Sequence, residues 1–163
     1  MEKIRLMVRR ILIVLLVIWM VTVFCLSHQN GDSSGNLSRA IAMFFADGDQ
    51  EMATNIEPVV RKVAHMTEYA VGALLFYGIL LTYPNYTTKK RIIMTFAFII
   101  LYAATDEFHQ SFINSRNGSF WDVCIDTFGG AIGVAAVYII EATIITMENR
   151  VQEDLKNPKL KNR

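Results

Sequence analysis

The sequence has few of the features that mark soluble catalytic or nucleic-acid-binding proteins. It contains no glycine-rich phosphate loop and no basic tract, so neither nucleotide nor nucleic-acid binding is predicted. Its two cysteines, Cys25 and Cys124, have no Cys-x-x-Cys spacing, which argues against a cysteine-ligated metal centre. A disulfide between them is open, but we expect two buried thiols that act as small apolar residues.

Charge is also nearly absent from four long stretches of the chain. With 53% apolar residues, this pattern predicts one small integral membrane domain. The third apolar stretch is short for a bilayer of about 30 Å, so we expect its helix to continue into the polar residues that follow. The predicted spans are residues 11–26, 63–82, 92–110 and 123–146, in a membrane domain of residues 1–146 that is followed by a polar cytoplasmic tail, 147–163.

The first stretch combines a basic flank with an apolar run, as a secretory signal peptide does. Residues 24–27, Phe-Cys-Leu-Ser, offer no small-x-small cleavage site, and three more spans follow. We therefore expect the first span to stay in the protein as a membrane anchor.

Basic residues predict the orientation of the spans, because positive charge concentrates in cytoplasmic segments. Most of them fall on one side of a four-span arrangement: Lys3, Arg5, Arg9, Arg10, Lys89, Lys90, Arg91, Arg150, Lys156, Lys159, Lys161 and Arg163. The predicted fold is thus an all-α integral membrane four-helix bundle with both termini cytoplasmic. Residues 27–62 and 106–122 then face outward.

The first outward segment contains a candidate surface helix. Four apolar residues recur at helical spacing within residues 37–46: Leu37, Ile41, Phe44 and Phe45. This predicts a short amphipathic helix on the outer interface or against the bundle, with an irregular loop as the alternative. Asp47, Gly48 and Asp49 end it, and Asn55 and Pro58 are expected to mark the start of the next helix.

Polar residues then line one face of the second span. Arg61, His65, Glu68 and Gly72 follow at intervals of four, three and four, which aligns them on a helix. A histidine in a helix is often only packed, but a cation, an imidazole and a carboxylate in one stripe at a membrane mouth favour function. The neighbouring Lys62 and Tyr69 are expected at the membrane surface or in the same polar network.

The third span carries a second stripe, formed by Tyr102, Asp106 and His109, with Glu107 and Gln110 beside it. His109 can form an acid/base pair with Asp106 or Glu68. Together with His65, these groups are also candidate ligands of a divalent metal ion, although no known metal signature is present.

The fourth span carries Asp122, Asp126, Gly129 or Gly130, and Gly133 on one face. Its glycines predict close approach of a neighbouring helix. Asp126 lies one turn inside the membrane, so Arg61, Arg116 or a histidine is expected next to it. Arg116, in a tight turn, can clamp a phosphate, a carboxylate or a neighbouring aspartate.

These fragments together resemble the VanZ-like family of bacterial membrane proteins. The resemblance rests on Ser27-x-Gln29, Arg61-Lys62-x-x-His65-x-x-Glu68-Tyr69, Tyr102-Ala103-x-x-Asp106-Glu107-x-His109-Gln110, Arg116-x-Gly118 and Asp122-x-x-x-Asp126 with Gly129. It implies a bacterial cell membrane and a connection with the envelope or with teicoplanin resistance. It supplies no mechanism. In the turn, Ile113-Asn114-Ser115 replaces the Pro-Gly that is more usual in the family.

Two functions remain open at this point. In the first, an outward-facing polar pocket binds or acts on an anionic lipid or a lipid-linked envelope precursor and affects teicoplanin susceptibility. Its candidate catalytic residues are His65, Glu68, Asp106, Glu107, His109 and Asp126, and its candidate binding residues are Arg61, Lys62, Tyr69, Gln110, Arg116 and Asp122. In the second, the charges are ion-paired for structure in a non-catalytic scaffold or interaction protein. A subunit of an oligomeric transporter or flippase is a further alternative.

Overall fold

The part of the chain that the structure describes folds into five helices. A computed structural model describes residues 2–28, 31–113 and 118–156, and contains no strand within those ranges. The helices are α1 (Glu2–Ser27), α2 (Gly31–Phe45), α3 (Gln50–Leu81), α4 (Thr88–Gln110) and α5 (Phe120–Lys156). The prediction of an all-helical fold is confirmed.

Four of these helices, α1, α3, α4 and α5, are long and apolar enough to cross a membrane. The protein is therefore a helical membrane bundle, as predicted. Each of these four helices begins before its predicted span, and α5 continues through Lys156 into the predicted polar tail. The reason is that Lys, Arg and Glu are themselves good helix formers, so a helix does not end where the apolar run ends.

The predicted start of α3 near Asn55 and Pro58 is wrong. Asp49 caps the helix instead, since its Oδ1 atom accepts hydrogen bonds from the backbone N–H groups of Glu51 (2.9 Å) and Met52 (3.1 Å). Pro58 lies inside the helix. Its missing N–H removes one bond from the ladder, and the helix persists because the preceding turns are packed against α2.

The short helix α2 forms a hairpin with the first turns of α3. Ala42 and Ala46 are buried against Ala53, with Ile56 and Val60 partly buried beside them. Gly48, at φ +85°, donates its N–H to the Met43 carbonyl (3.1 Å) and ends the helix, as predicted. The loop alternative is therefore wrong, and α2 begins earlier than the predicted residue 37.

An aromatic group built on Trp19 holds α1 against α3 and α4. Its indole N–H donates to the carbonyl of Glu68 (2.9 Å), and its ring packs edge-on to Tyr69 and beside Tyr102. Tyr102 in turn donates its hydroxyl to the Met20 carbonyl (2.6 Å). Buried indole and phenol groups need such partners, so these bonds fix α1 in a single position.

The other half of α1 is tied to the end of α3 by Arg9. The guanidinium donates to the side-chain and backbone oxygens of Thr82 (2.8 and 2.9 Å) and lies over the ring of Tyr83. A cation at the carboxyl end of a helix also interacts favourably with the helix dipole.

Glycines bring α5 into backbone contact with α3, as the sequence predicted. A Cβ on Gly129 would overlap the backbone of Met66, and one on Gly133 would overlap the backbone of Ala70. Both pairs have the same sequence offset of 63, so α3 and α5 run parallel in one register. Small residues permit such close approach between membrane helices.

Cys25 and Cys124 are both free, and both side chains lie on exposed surfaces of their helices. No disulfide joins them. The predicted burial of the two thiols is wrong, because each cysteine faces away from the helix contacts that form the core.

The α3–α5 contact generates a stability prediction. Gly133→Ala places a methyl group against the backbone of Ala70, which cannot move aside, so we expect the free energy of unfolding to fall by about 1–3 kcal/mol. The measurement is reversible unfolding of the purified protein in detergent. Gly78→Ala is the matched control, since its Cβ would meet only the Leu12 side chain, at 3.4 Å. Equal stability of the two variants would contradict the close contact.

Candidate functional site

Polar side chains from three helices meet at the end of the bundle where α4 ends and α5 begins. We call this group the Asp126 cluster. It consists of His65, Glu68 and Tyr69 from α3, Asp106, Glu107 and Gln110 from α4, and Asp122 and Asp126 from α5.

His65 lies between two carboxylates. Its Nδ1 atom is 3.8 Å from Asp126 Oδ1 across the helix interface and 3.9 Å from Glu68 Oε2 on its own helix. The side chain of Asp126 is only 2% exposed, whereas those of His65 and Glu68 are 28% and 32% exposed. The expectation that a histidine lies beside Asp126 is confirmed, and the imidazole connects a buried carboxylate to the surface of the bundle.

The α4 residues are buried and hydrogen-bonded. Gln110 donates its side-chain N–H to Asp106 Oδ2 (2.9 Å), and Glu107 Oε2 accepts the backbone N–H of Ser119 (2.8 Å). Gly118 lies directly against the Glu107 carbonyl, where a Cβ would not fit. Glu107 thus joins the end of α4 to the residues that precede α5.

Asp122 lies half-buried in the first turn of α5, where its backbone N–H donates to the Ser119 carbonyl (3.1 Å). Its carboxylate is close enough to Asp126 for the two charges to repel each other. A carboxylate in this turn interacts favourably with the positive end of the helix dipole.

Two buried oxygens of the cluster have no hydrogen-bond partner among the residues that the structure describes. They are the hydroxyl of Tyr69, a residue with no exposed surface, and Oδ2 of Asp126. Tyr69 also lies close enough to Asp106 and Asp126 to interact electrostatically with both. Buried polar atoms without partners are costly, and they mark places where a further group can bind.

Two of the predicted cations of the site, Arg61 and Lys62, lie outside the cluster. Arg61 is 46% exposed and donates to Glu57, one turn earlier on α3, at 3.1 Å. In the described ranges no ion pair joins Arg61 to Asp126, so of the three neighbours expected for that carboxylate the structure shows the histidine. Lys62 is exposed, as expected for a side chain at the membrane surface. Arg116 lies outside the described residues.

The predicted pairing of His109 with Asp106 or Glu68 is also wrong. His109 Nε2 is 3.2 Å from Nδ1 of His28, at the end of α1, and its ring stacks on Phe24. His109 is close to Asp106 in sequence, but its ring is directed to α1, which the residue spacing on α4 alone does not reveal.

The described residues contain no set of three His, Cys, Asp or Glu side chains placed to hold a metal ion. The cluster is therefore a set of acid and base groups with two unpaired oxygens.

Sequence reasoning missed a second polar group, which we call the Glu141 cluster. Arg91 donates to Glu141 Oε1, the Tyr77 hydroxyl donates to Oε2 (2.5 Å), and the Thr88 hydroxyl donates to Oε1 (3.3 Å). Both charged side chains are nearly buried, at 12% and 11% exposed. The signal was visible in the sequence, because Glu141 interrupts the fourth apolar run.

The two clusters lie towards opposite ends of the bundle. Along α5, the helical rise separates Asp126 from Glu141 by about 22 Å, most of the thickness of the hydrocarbon core. The Glu141 cluster pairs one acid with one base and gives both carboxylate oxygens donors. The Asp126 cluster has several acids, and His65 is the one basic side chain within it among the described residues.

Comparison with known proteins gives one finding. A family model described as VanZ/LLP1 matches residues 12–141, a range that includes every residue of both clusters. Neither the curated proteins nor the solved structures contain a match.

The Glu141 cluster generates a prediction about stability. Arg91→Leu leaves Glu141 nearly buried without its cation, so the free energy of unfolding should fall by about 3–5 kcal/mol. Adding Glu141→Gln should recover most of that loss, because the amide carries no charge and still offers Tyr77 an acceptor. Unfolding in detergent measures both values.

The exposed pair on α3 supplies the control for this comparison. Arg61→Leu removes an ion pair at the surface, so it should cost less than about 1 kcal/mol. A double variant no more stable than Arg91→Leu alone would argue against a buried ion pair at Glu141.

Proposed function

The chain belongs to the VanZ/LLP1 family, and on that premise we propose that its Asp126 cluster binds or acts on an anionic lipid or a lipid-linked cell-envelope precursor. The membrane concerned is the bacterial cell membrane. An effect on teicoplanin susceptibility then follows, because the antibiotic meets envelope precursors at the outer face of that membrane.

One observation carries this proposal: Asp126 is a buried carboxylate beside an imidazole, and one of its oxygens has no partner among the described residues. An ionisable group inside a membrane span is unfavourable unless it is paired or takes part in function. In the Glu141 cluster, a cation and further hydrogen-bond donors surround the buried carboxylate, as expected for a charge that serves structure. Asp126 lacks that arrangement.

The chemistry that these residues support is proton transfer. In this proposal His65, partly exposed, takes or gives the proton of the bound molecule, and Asp126 holds the ring from behind. Glu68, on the exposed side of the same imidazole, is the second acid/base group. Asp106 adds negative charge beside these groups, because it interacts electrostatically with Glu68 and Asp126.

An anionic group would bind at the rim of the cluster. Arg61 lies one turn before His65 on the same face of α3 and is exposed, and Lys62 is its neighbour. Guanidinium and ammonium groups bind phosphate through charge-assisted hydrogen bonds. Arg116 remains the third candidate on the sequence pattern.

A structural role for part of the cluster is the second candidate function, and Glu107 favours it. This carboxylate accepts the backbone N–H of Ser119 and so holds the start of α5 in place. In that alternative, the bundle is a scaffold or interaction protein, and its charged groups serve packing and not binding.

The catalytic proposal is tested by two variants. His65→Gln and Asp126→Asn should each lower the rate of conversion of a lipid-linked precursor in isolated membranes by about 100- to 10,000-fold, because the first removes the general acid/base group and the second removes the carboxylate that positions it. Each should also return teicoplanin susceptibility to that of cells without the protein. Asp154→Asn makes the same acid-to-amide change at an exposed position of α5 and should have no effect.

The amount of each variant in the membrane is measured in the same samples. Full activity of His65→Gln and Asp126→Asn at normal membrane levels would reject the catalytic proposal and favour the scaffold.

Placement of the cluster on the extracytoplasmic side is part of the proposal. The support is that described basic residues such as Arg9, Arg10, Lys89 and Lys90 lie at the Glu141 end, and cytoplasmic segments carry the excess of positive charge.

Cysteine labelling tests this orientation. In a variant without Cys25 and Cys124, Gln50→Cys should react with a membrane-impermeant maleimide on intact cells, because its exposed position lies at the Asp126 end. Lys89→Cys, exposed at the other end, should react only after lysis. The reverse labelling pattern would put the cluster on the cytoplasmic side.

A further inference from the structure

The Asp126 cluster is strongly acidic. Five carboxylates belong to it, those of Glu68, Asp106, Glu107, Asp122 and Asp126, and Asp126 interacts electrostatically with each of the other four. The basic group among them in the described ranges is His65. Even if Arg116, which lies outside the described residues, were counted with the cluster, carboxylates would still outnumber basic groups. A ligand that carries positive charge is therefore the kind that this cluster favours.

The unpaired oxygens indicate how that ligand is held. The Tyr69 hydroxyl and Asp126 Oδ2 are both buried, both lack a hydrogen-bond partner among the described residues, and both can accept a hydrogen bond. Tyr69 interacts electrostatically with Asp106 and Asp126, which places its ring among the carboxylates. A cation that carries N–H donors would supply a partner to both oxygens.

A metal ion does not fit this description. Metal coordination needs ligands about 2.0–2.6 Å from the ion, and the described residues contain no set of three His, Cys, Asp or Glu that could provide them. An ammonium group has longer contacts, about 2.7–2.9 Å to carboxylate oxygens, and a primary ammonium offers three N–H donors. It therefore suits more widely spaced acceptors.

We propose that the Asp126 cluster binds a primary ammonium group of a lipid head group whose phosphate is held by Arg61 and Lys62 at the rim. This rests on the proposed function and names the class of head group: one that carries both a phosphate and a protonated primary amine. The ammonium enters between the partly exposed side chains of Glu68 and His65 and reaches the buried Asp126.

Two sources share this chemistry. One is a phospholipid of the phosphoethanolamine type, and the other is a lipid-linked precursor with a free amine on the group attached to its phosphate. Both kinds of lipid carry the cation close to the phosphate. The acidic cluster and the basic residues Arg61 and Lys62 are likewise neighbours along α3.

Native mass spectrometry of the full-length protein tests the inference with defined lipids of identical acyl chains. Phosphatidylethanolamine should be retained at least about tenfold more than phosphatidylglycerol, N-acetylphosphatidylethanolamine or phosphatidylcholine, since these three lack the N–H donors of a primary ammonium. Equal retention of all four lipids would overturn the inference.

Two variants locate the binding to the cluster. Tyr69→Phe removes only the unpaired hydroxyl, and Asp126→Asn removes the buried acid, so each should reduce the preference for phosphatidylethanolamine. Asp154→Asn should keep it. If Asp126→Asn fails to fold, Tyr69→Phe and Glu68→Gln decide the result. An unchanged preference in the folded variants would move the amine site elsewhere and overturn the proposal.

The same measurement distinguishes the two sources and separates this inference from the catalytic proposal. A lipid-linked precursor with a free amine, compared with its N-acetylated form, tests the second source, and preference for either amine-bearing lipid supports the inference. Loss of precursor turnover in His65→Gln together with no amine preference in the unaltered protein would leave the catalytic proposal standing and reject the amine site. Amine preference in the unaltered protein without any precursor turnover would support the amine site and reject the catalytic proposal.

Discussion

The packing of α3 on α5 through glycine positions both polar clusters. Gly129 and Gly133 lie on the backbone of Met66 and Ala70, so the two helices approach as closely as their main chains allow. A contact of this kind has one register, because a shift of one residue would put a side chain where only hydrogen fits. The polar contacts between α3 and α5 follow from that register.

The same register brings Asp126 to His65 at one end and Glu141 to Tyr77 at the other. Since α3 and α5 run parallel, residues a few turns apart on one helix meet residues equally far apart on the other. The two clusters therefore differ in charge and not in the way that they are built. Arg91 from α4 neutralises Glu141, whereas α4 contributes two further carboxylates, Asp106 and Glu107, to the Asp126 cluster.

Hydropathy and helical spacing predicted the fold and much of the cluster. The apolar runs indicated four membrane helices, and the spacing of Asp122, Asp126 and the glycines correctly identified the face of α5 that meets α3. These features depend only on residues of one helix, so they are visible in the sequence. The family resemblance was confirmed by the match over residues 12–141.

Most of the errors concern relations between helices or the ends of helices. Spacing puts His109 near Asp106 on α4, but the partner of its ring is His28 of α1, and nothing in the sequence gives that contact. Arg61 is one of three residues that the sequence offers as a neighbour of Asp126, yet its partner is Glu57, which lies on its own helix and needs no interhelical approach. Pro58 was read as a helix start, because the stronger cap at Asp49 lies in a polar segment without apolar periodicity.

The contrast between the clusters separates stability from function. A buried ion pair adds little net stability, but loss of one partner is strongly destabilising. A shift that separates Arg91 from Glu141 is therefore unfavourable, and the Glu141 cluster stabilises the arrangement of α3, α4 and α5. The Glu141 cluster thereby stabilises the α3–α5 register at the Asp126 cluster, about 22 Å away. A shift between α3 and α5 there would separate His65 from Asp126. The Glu141 cluster can thus hold the Asp126 cluster in its observed arrangement. The carboxylates of the Asp126 cluster repel one another and would not maintain that arrangement alone.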